Sequence, residues 1–64
     1  MNKTQMLLKT IADNPDLMVR DLAKRLGPTG IGYRDIASMC TDLYKVGKLM
    51  RHQPDNLYYR YRIK

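Results

Sequence analysis

A chain of 64 residues has room for one small domain, and a hydrophobic fraction of 44% is enough for a compact core. Twelve lysines and arginines against six aspartates give a net charge of +6, which favours polyanionic partners such as nucleic acid. The short length argues against an enzyme and against a ligand-sized cleft. The single cysteine excludes an internal disulfide. We therefore predict one non-enzymatic domain over residues 1–64, located in the cytoplasm or, when bound to DNA, at the nucleoid.

The first predicted helix covers residues 4–13. Leu7, Leu8 and Ile11 fall on one side of it at helical spacing. Pro15 then ends it, because proline lacks a backbone amide and disfavours a helical residue before it.

A short extended segment at 17–18 precedes the second predicted helix, which runs from residue 19 or 20 to residue 26. Its apolar face consists of Val19, Leu22, Ala23 and Leu26. Gly27 is predicted to stop this helix as a C-terminal glycine. The glycine-rich turn that follows covers residues 27–32.

A third helix is predicted from about residue 33 to residue 46, with Gly47 ending it. Its buried stripe consists of Ile36, Met39, Cys40, Leu43 and Val46. The opposite side presents four polar residues at helical spacing, Arg34, Ser38, Thr41 and Lys45.

Beyond Gly47 the period changes to two, which indicates strands at 48–53 and 57–63. In the second strand the predicted inner face carries Leu57, Tyr59, Tyr61 and Ile63. The predicted outer face carries Tyr58, Arg60, Arg62 and Lys64. The chain is therefore α+β, with three helices and a C-terminal antiparallel β-hairpin, to which the segment 17–18 can add a third strand.

The loop at 54–56 leaves two strand registers open. A three-residue loop places Leu49 and Arg51 on the face of Tyr61, whereas a two-residue loop places Met50 and His52 there. We favour the first register because it keeps Leu49 in the core, although it draws Arg51 toward the inner face.

The stretch Asp21–Gly27 (DLAKRLG) resembles the positioning helix of the winged helix-turn-helix superfamily. The later stretch Leu43–Leu49 (LYKVGKL) is similar to that superfamily's transition from recognition helix to first wing strand. The resemblance covers nearly the whole chain and implies a DNA-binding domain whose third helix enters the major groove. The interval from Ala23 to Leu43 is longer than expected for the superfamily, which predicts a loose turn at 27–32.

The predicted function is sequence-specific binding of duplex DNA by a small transcriptional regulator or repressor, with a homodimer as one arrangement. Third-helix residues would contact bases and phosphates, and the basic hairpin would lie along the phosphate backbone. The predicted DNA-binding residues are Arg34, Ser38, Thr41, Lys45, Arg51, Tyr58, Arg60 and Arg62.

Three alternatives stay open for these residues. The basic face can be an ordinary solvated surface, and arginines on an edge strand also protect against aggregation. The domain can serve as a protein-interaction adaptor, which would show an exposed apolar patch, or bind structured RNA. No cofactor, membrane or small-molecule ligand is predicted. No metal site is predicted either, because His52 stands without a second metal-ligand partner and Cys40 is expected in the core.

Overall fold

The structure of the chain, a computed structural model, describes residues 2–64 as a small α+β fold. It confirms three helices and a three-stranded antiparallel sheet. The elements are α1 (Lys3–Asp13), β1 (Leu17–Met18), α2 (Val19–Leu26), α3 (Tyr33–Lys45), β2 (Leu49–His52) and β3 (Arg60–Ile63). No helix within residues 2–64 combines the length and the apolar content needed to cross a bilayer.

Helix α1 begins at a reciprocal cap formed by Asn2 and Gln5. The Asn2 side-chain oxygen accepts a hydrogen bond from the Gln5 amide at 2.8 Å, and the Asn2 amide donates to the Gln5 side chain at 3.3 Å. This capping box satisfies two otherwise unpaired amides, so the helix begins one residue earlier than the apolar pattern predicts.

Helix α2 ends at Leu26 as predicted, but Gly27 is not the residue that stops it. Gly27 keeps a right-handed helical conformation, and residues Gly27–Thr29 form a 3-10 turn. The left-handed residue is Gly30, with φ of 83°, and its amide donates to the Gly27 carbonyl at 2.9 Å. The loose turn predicted at 27–32 therefore consists of this extra turn and the exit at Gly30.

Helix α3 ends at Lys45, one residue earlier than predicted. Gly47 adopts φ of 82°, and the Lys48 amide donates to the Leu43 carbonyl at 2.9 Å, which closes the helix. Val46 consequently lies beyond the last turn and is 69% exposed, so its predicted place in the buried stripe is wrong.

The strand order in the sheet is β1-β3-β2, and β1 supplies the third strand. Arg51 pairs with Tyr61 and Leu49 pairs with Ile63. This confirms the prediction that Leu49 and Arg51 lie on the same face of the sheet as Tyr61. The loop between the two strands covers residues 53–59 instead of 54–56. Each β2 residue therefore pairs with a β3 residue two positions later than a three-residue loop would give.

Residues 57–59, predicted as the start of the second strand, lie outside β3. Asn56 adopts a left-handed φ of 58°, and the Leu57 amide donates to the Asp55 carboxylate at 3.2 Å. This hydrogen bond lowers the pKa of Asp55. The turn directs the chain away from the sheet, so Leu57 and Tyr59 are exposed, and their predicted inward position is wrong.

The core lies between the three helices and one face of the sheet. It consists of buried residues from α1, α2, α3, β2, β3 and the turn before α3, namely Leu7, Ile11, Leu22, Leu26, Ile31, Ile36, Cys40, Leu43, Leu49 and Tyr61. Burial raises the pKa of the Cys40 thiol to about 12, so the thiol stays protonated at neutral pH. This packing fixes the angle at which α3 presents its outward side.

Candidate nucleic-acid interface

The outward side of α3 carries the polar stripe expected from the sequence. Arg34, Ser38 and Lys45 are exposed, and Thr41 is half-buried. Within residues 2–64, Arg34 and Lys45 form no ion pair, so their charges are available to an external anion. Because the helix rises about 1.5 Å per residue, the stripe from Arg34 to Lys45 is about 16 Å long.

Asp35 and Asp42 flank this stripe, and unpaired carboxylates there would repel phosphates and favour an ordinary solvated face. Asp42 is exposed and has no ion-pair partner within residues 2–64. The Asp35 carboxylate lies 3.9 Å from the Lys3 ammonium, in an exposed ion pair between the first turns of α3 and α1. The pair offsets the negative charge next to Arg34, although an exposed pair of this kind contributes little to stability.

A cleft of about 380 Å³ separates α3 from the loop at 53–59. Tyr33, Ala37 and Thr41, spaced four residues apart, form its α3 wall, and Tyr58 lies on the loop side. Arg20, in the first turn of α2, lies at the third side. The volume falls within the roughly 300–1,000 Å³ of small-molecule sites, so the expectation of no ligand-sized cleft is wrong.

Arg51 has a different environment from the other predicted DNA contacts. Its guanidinium carbon lies 4.0 Å from the centroid of the Tyr44 ring and 4.0 Å from that of the Tyr59 ring. Interaction with the Tyr61 hydroxyl, the largest cause, raises the pKa of Arg51. The stacked guanidinium therefore joins β2, α3 and the hairpin loop, and holds Tyr59 at the cleft.

Arg60 and Arg62 lie on the sheet face opposite to Tyr61, away from the helices. The Arg60 guanidinium donates to the Asp16 carbonyl at 3.1 Å, and the Arg62 guanidinium lies 3.3 Å from the Asp16 carboxylate. His52 is on the same face, with its Nδ1 atom 3.9 Å from that carboxylate. These two arginines are therefore not brought together with the α3 stripe.

Asp16 organises this back face through an uncommon backbone conformation. Its φ of 65° is left-handed, which aspartate tolerates better than most residues, and its amide donates to the Tyr61 carbonyl at 2.9 Å. The main chain of Asp16 is thereby fixed beside β3, where its carbonyl and carboxylate both meet arginine side chains.

The sequence reading missed the cleft residues Arg20, Tyr33, Gln53 and Leu57. One signal was available: the chain has five tyrosines and neither phenylalanine nor tryptophan. The four-residue spacing of Tyr33, Ala37 and Thr41 puts them on one side of α3. This side becomes a cleft wall only because the loop at 53–59 lies opposite it, and the alternation pattern predicts a different path for that loop.

Comparison of the chain with family models, with curated proteins and with solved structures found no match.

Proposed function

We propose that this chain is a winged helix-turn-helix protein that binds duplex DNA and regulates transcription, with α3 placed in the major groove. The order of helices and strands supports the proposal, because the sheet order β1-β3-β2 behind three helices suits that architecture. The observation that carries it is the polar stripe of α3, in which Arg34, Ser38 and Lys45 are exposed and the two cations have no ion-pair partner within residues 2–64.

The proposed contacts differ in kind along the stripe. Arg34 can pair bidentately with a guanine edge, and Ser38 and Thr41 can hydrogen-bond to bases or phosphates. Lys45, the last residue of α3, would contact the phosphate backbone. Tyr58, exposed on the hairpin loop, lies across the cleft from this helix.

Arg51, Arg60 and Arg62 receive structural roles in this proposal. Arg51 is stacked between two tyrosine rings, and the other two arginines meet Asp16 on the back of the sheet. Their charge still raises the positive field around the molecule, which speeds encounter with DNA without specifying a sequence.

The alternative of a protein-interaction adaptor has one observation in its favour. Residues 57–59, a leucine and two tyrosines, are exposed on the hairpin loop and line one cleft together with the exposed Tyr33 of α3, so exposed apolar surface is grouped at this place. Met50 and Ile63 of the sheet do not form a patch with each other, because the register puts them on opposite faces. A protein adaptor is therefore the second candidate function.

Selection of bound sequences from a random duplex library tests the proposal. We expect a consensus, and a symmetric one would indicate a dimer, since a single module covers only roughly 600–1,000 Å². A structured RNA hairpin of equal length is the comparison ligand. Failure to bind any duplex at low salt, or tighter binding to the RNA, would contradict the proposal.

A further inference from the structure

The aromatic residues of this chain are concentrated on its surface rather than in its core. Four of the five tyrosines line the cleft between α3 and the hairpin loop, and Tyr61 alone among them is buried. Tyr33 and Tyr58 are 53% and 56% exposed, so their rings leave a large part of their surface in contact with solvent. Exposed aromatic rings grouped around one concavity are typical of sites that stack a planar ligand.

The cleft is lined mostly by apolar and aromatic side chains and carries one positive charge. Val19 and Ala37 contribute short side chains, which leave room between the first turn of α2 and the wall of α3. Arg20 is the one charged residue among the described residues that line the cleft, and no carboxylate accompanies it. A ligand that suits this lining has a flat apolar body and a negative group at one edge.

We propose that this cleft binds a nucleobase together with its phosphate. The base lies against the rings of Tyr33 and Tyr58, and the Arg20 guanidinium pairs with the phosphate. A base that is paired and stacked inside a duplex cannot enter, so the ligand is either an unpaired base of a nucleic acid held on α3 or a free nucleotide. The first source rests on the proposed function, whereas the second does not.

Thr41 links the cleft to the proposed DNA-binding face. It lines the cleft and also belongs to the stripe that begins at Arg34. A nucleic acid bound along α3 therefore passes the mouth of the cleft, where an unpaired base can leave the stack at low cost.

Three labelled duplexes test the nucleic-acid source: one fully paired, one with an additional unpaired 2-aminopurine, and one with an abasic site in place of that base. We expect the duplex with the unpaired base to bind about tenfold more tightly than the abasic one, with its 2-aminopurine fluorescence quenched. Ala37→Leu fills the cleft and should make the two affinities equal. Ala12→Leu, the same substitution at an exposed position of α1, should preserve the difference between them.

Adenosine monophosphate, compared with ribose 5-phosphate, tests the free-nucleotide source through the tyrosine ring signals in proton NMR spectra. Binding of the former alone, abolished by Ala37→Leu, supports the cleft even if no duplex binds, in which case only the proposed function fails. If the unpaired-base and abasic duplexes bind equally and adenosine monophosphate shifts no tyrosine signal, the cleft is not a nucleobase site. That result would leave duplex binding through α3 intact.

Discussion

Arg34 is the residue of α3 best suited to read a base, because it is exposed near the start of the helix and has no ion-pair partner within residues 2–64. Arg34→Ala should remove the preference at one base position and cost about 1–3 kcal/mol there, as measured by competition between duplexes. Arg25→Ala removes the same charge from the end of α2 and serves as the control. Equal weakening of every sequence by Arg34→Ala would make Arg34 a phosphate contact instead.

Cys40 gives a pH-dependent prediction about stability. Its thiol pKa is 9.0 ordinarily and about 12 in the folded chain, because the core excludes water. Below pH 9 the thiol is neutral in both the folded and the unfolded state. Above pH 9 the unfolded state loses the proton first, so the stability contributed by this group falls with rising pH, by up to about 1.4 kcal/mol per pH unit.

Chemical unfolding of the wild type and of Cys40→Ala between pH 8 and 10.5 measures this contribution. The difference in unfolding free energy between the two proteins should stay constant up to about pH 9 and shift against the wild type above it. A constant difference across the whole range would mean that the folded thiol titrates normally.

At the scale of elements, the two basic surfaces should behave differently toward DNA. Lys45→Ala on α3 should lower the slope of log affinity against log salt concentration by about one, since one phosphate contact is lost. Arg62→Ala on the back of β3 should leave this slope unchanged and cost at most about 1 kcal/mol of stability, because its pair with Asp16 is exposed. The reverse ranking in salt titrations would place the DNA on the hairpin.

The helices and strands also show how much of the fold the sequence alone predicts. Helical periodicity predicts α1, α2 and α3 to within a residue or two, because each buries a stripe against one core. The alternation of residues 57–63 extends β3 too far, since periodicity does not report the left-handed turn at Asn56. That turn, with the stacking of Arg51 on Tyr59, carries the loop toward α3 and creates the cleft.

The site was predictable where it depends on one helix and unpredictable where it depends on contacts between elements. The exposure of Arg34 and Ser38 follows from the periodicity of α3 alone. The pairing of Arg62 with Asp16 joins residues far apart in the chain through the register of β1 and β3. No local pattern specifies such a contact, so the back-face role of this arginine emerges only from the folded sheet.

For the molecule as a whole, the central question is which surface meets DNA. The net charge of +6 attracts polyanions to every side. Cations without an ion-pair partner within residues 2–64 lie on α3, as Arg34 and Lys45, and also on α2, as Arg20, Lys24 and Arg25. Charge alone therefore does not identify the surface that contacts DNA. A residue-by-residue map of the bound state distinguishes that surface from residues whose charge only attracts DNA from a distance.

Titration of the ¹⁵N-labelled chain with a short duplex of the selected sequence provides that map. We expect the largest amide shifts at Arg34, Ser38, Thr41 and Lys45 and in residues 57–59, with β1 and the outward face of β3 little changed. Shifts confined to residues 60–64, or no shifts at low salt, would contradict the placement of α3 in the groove.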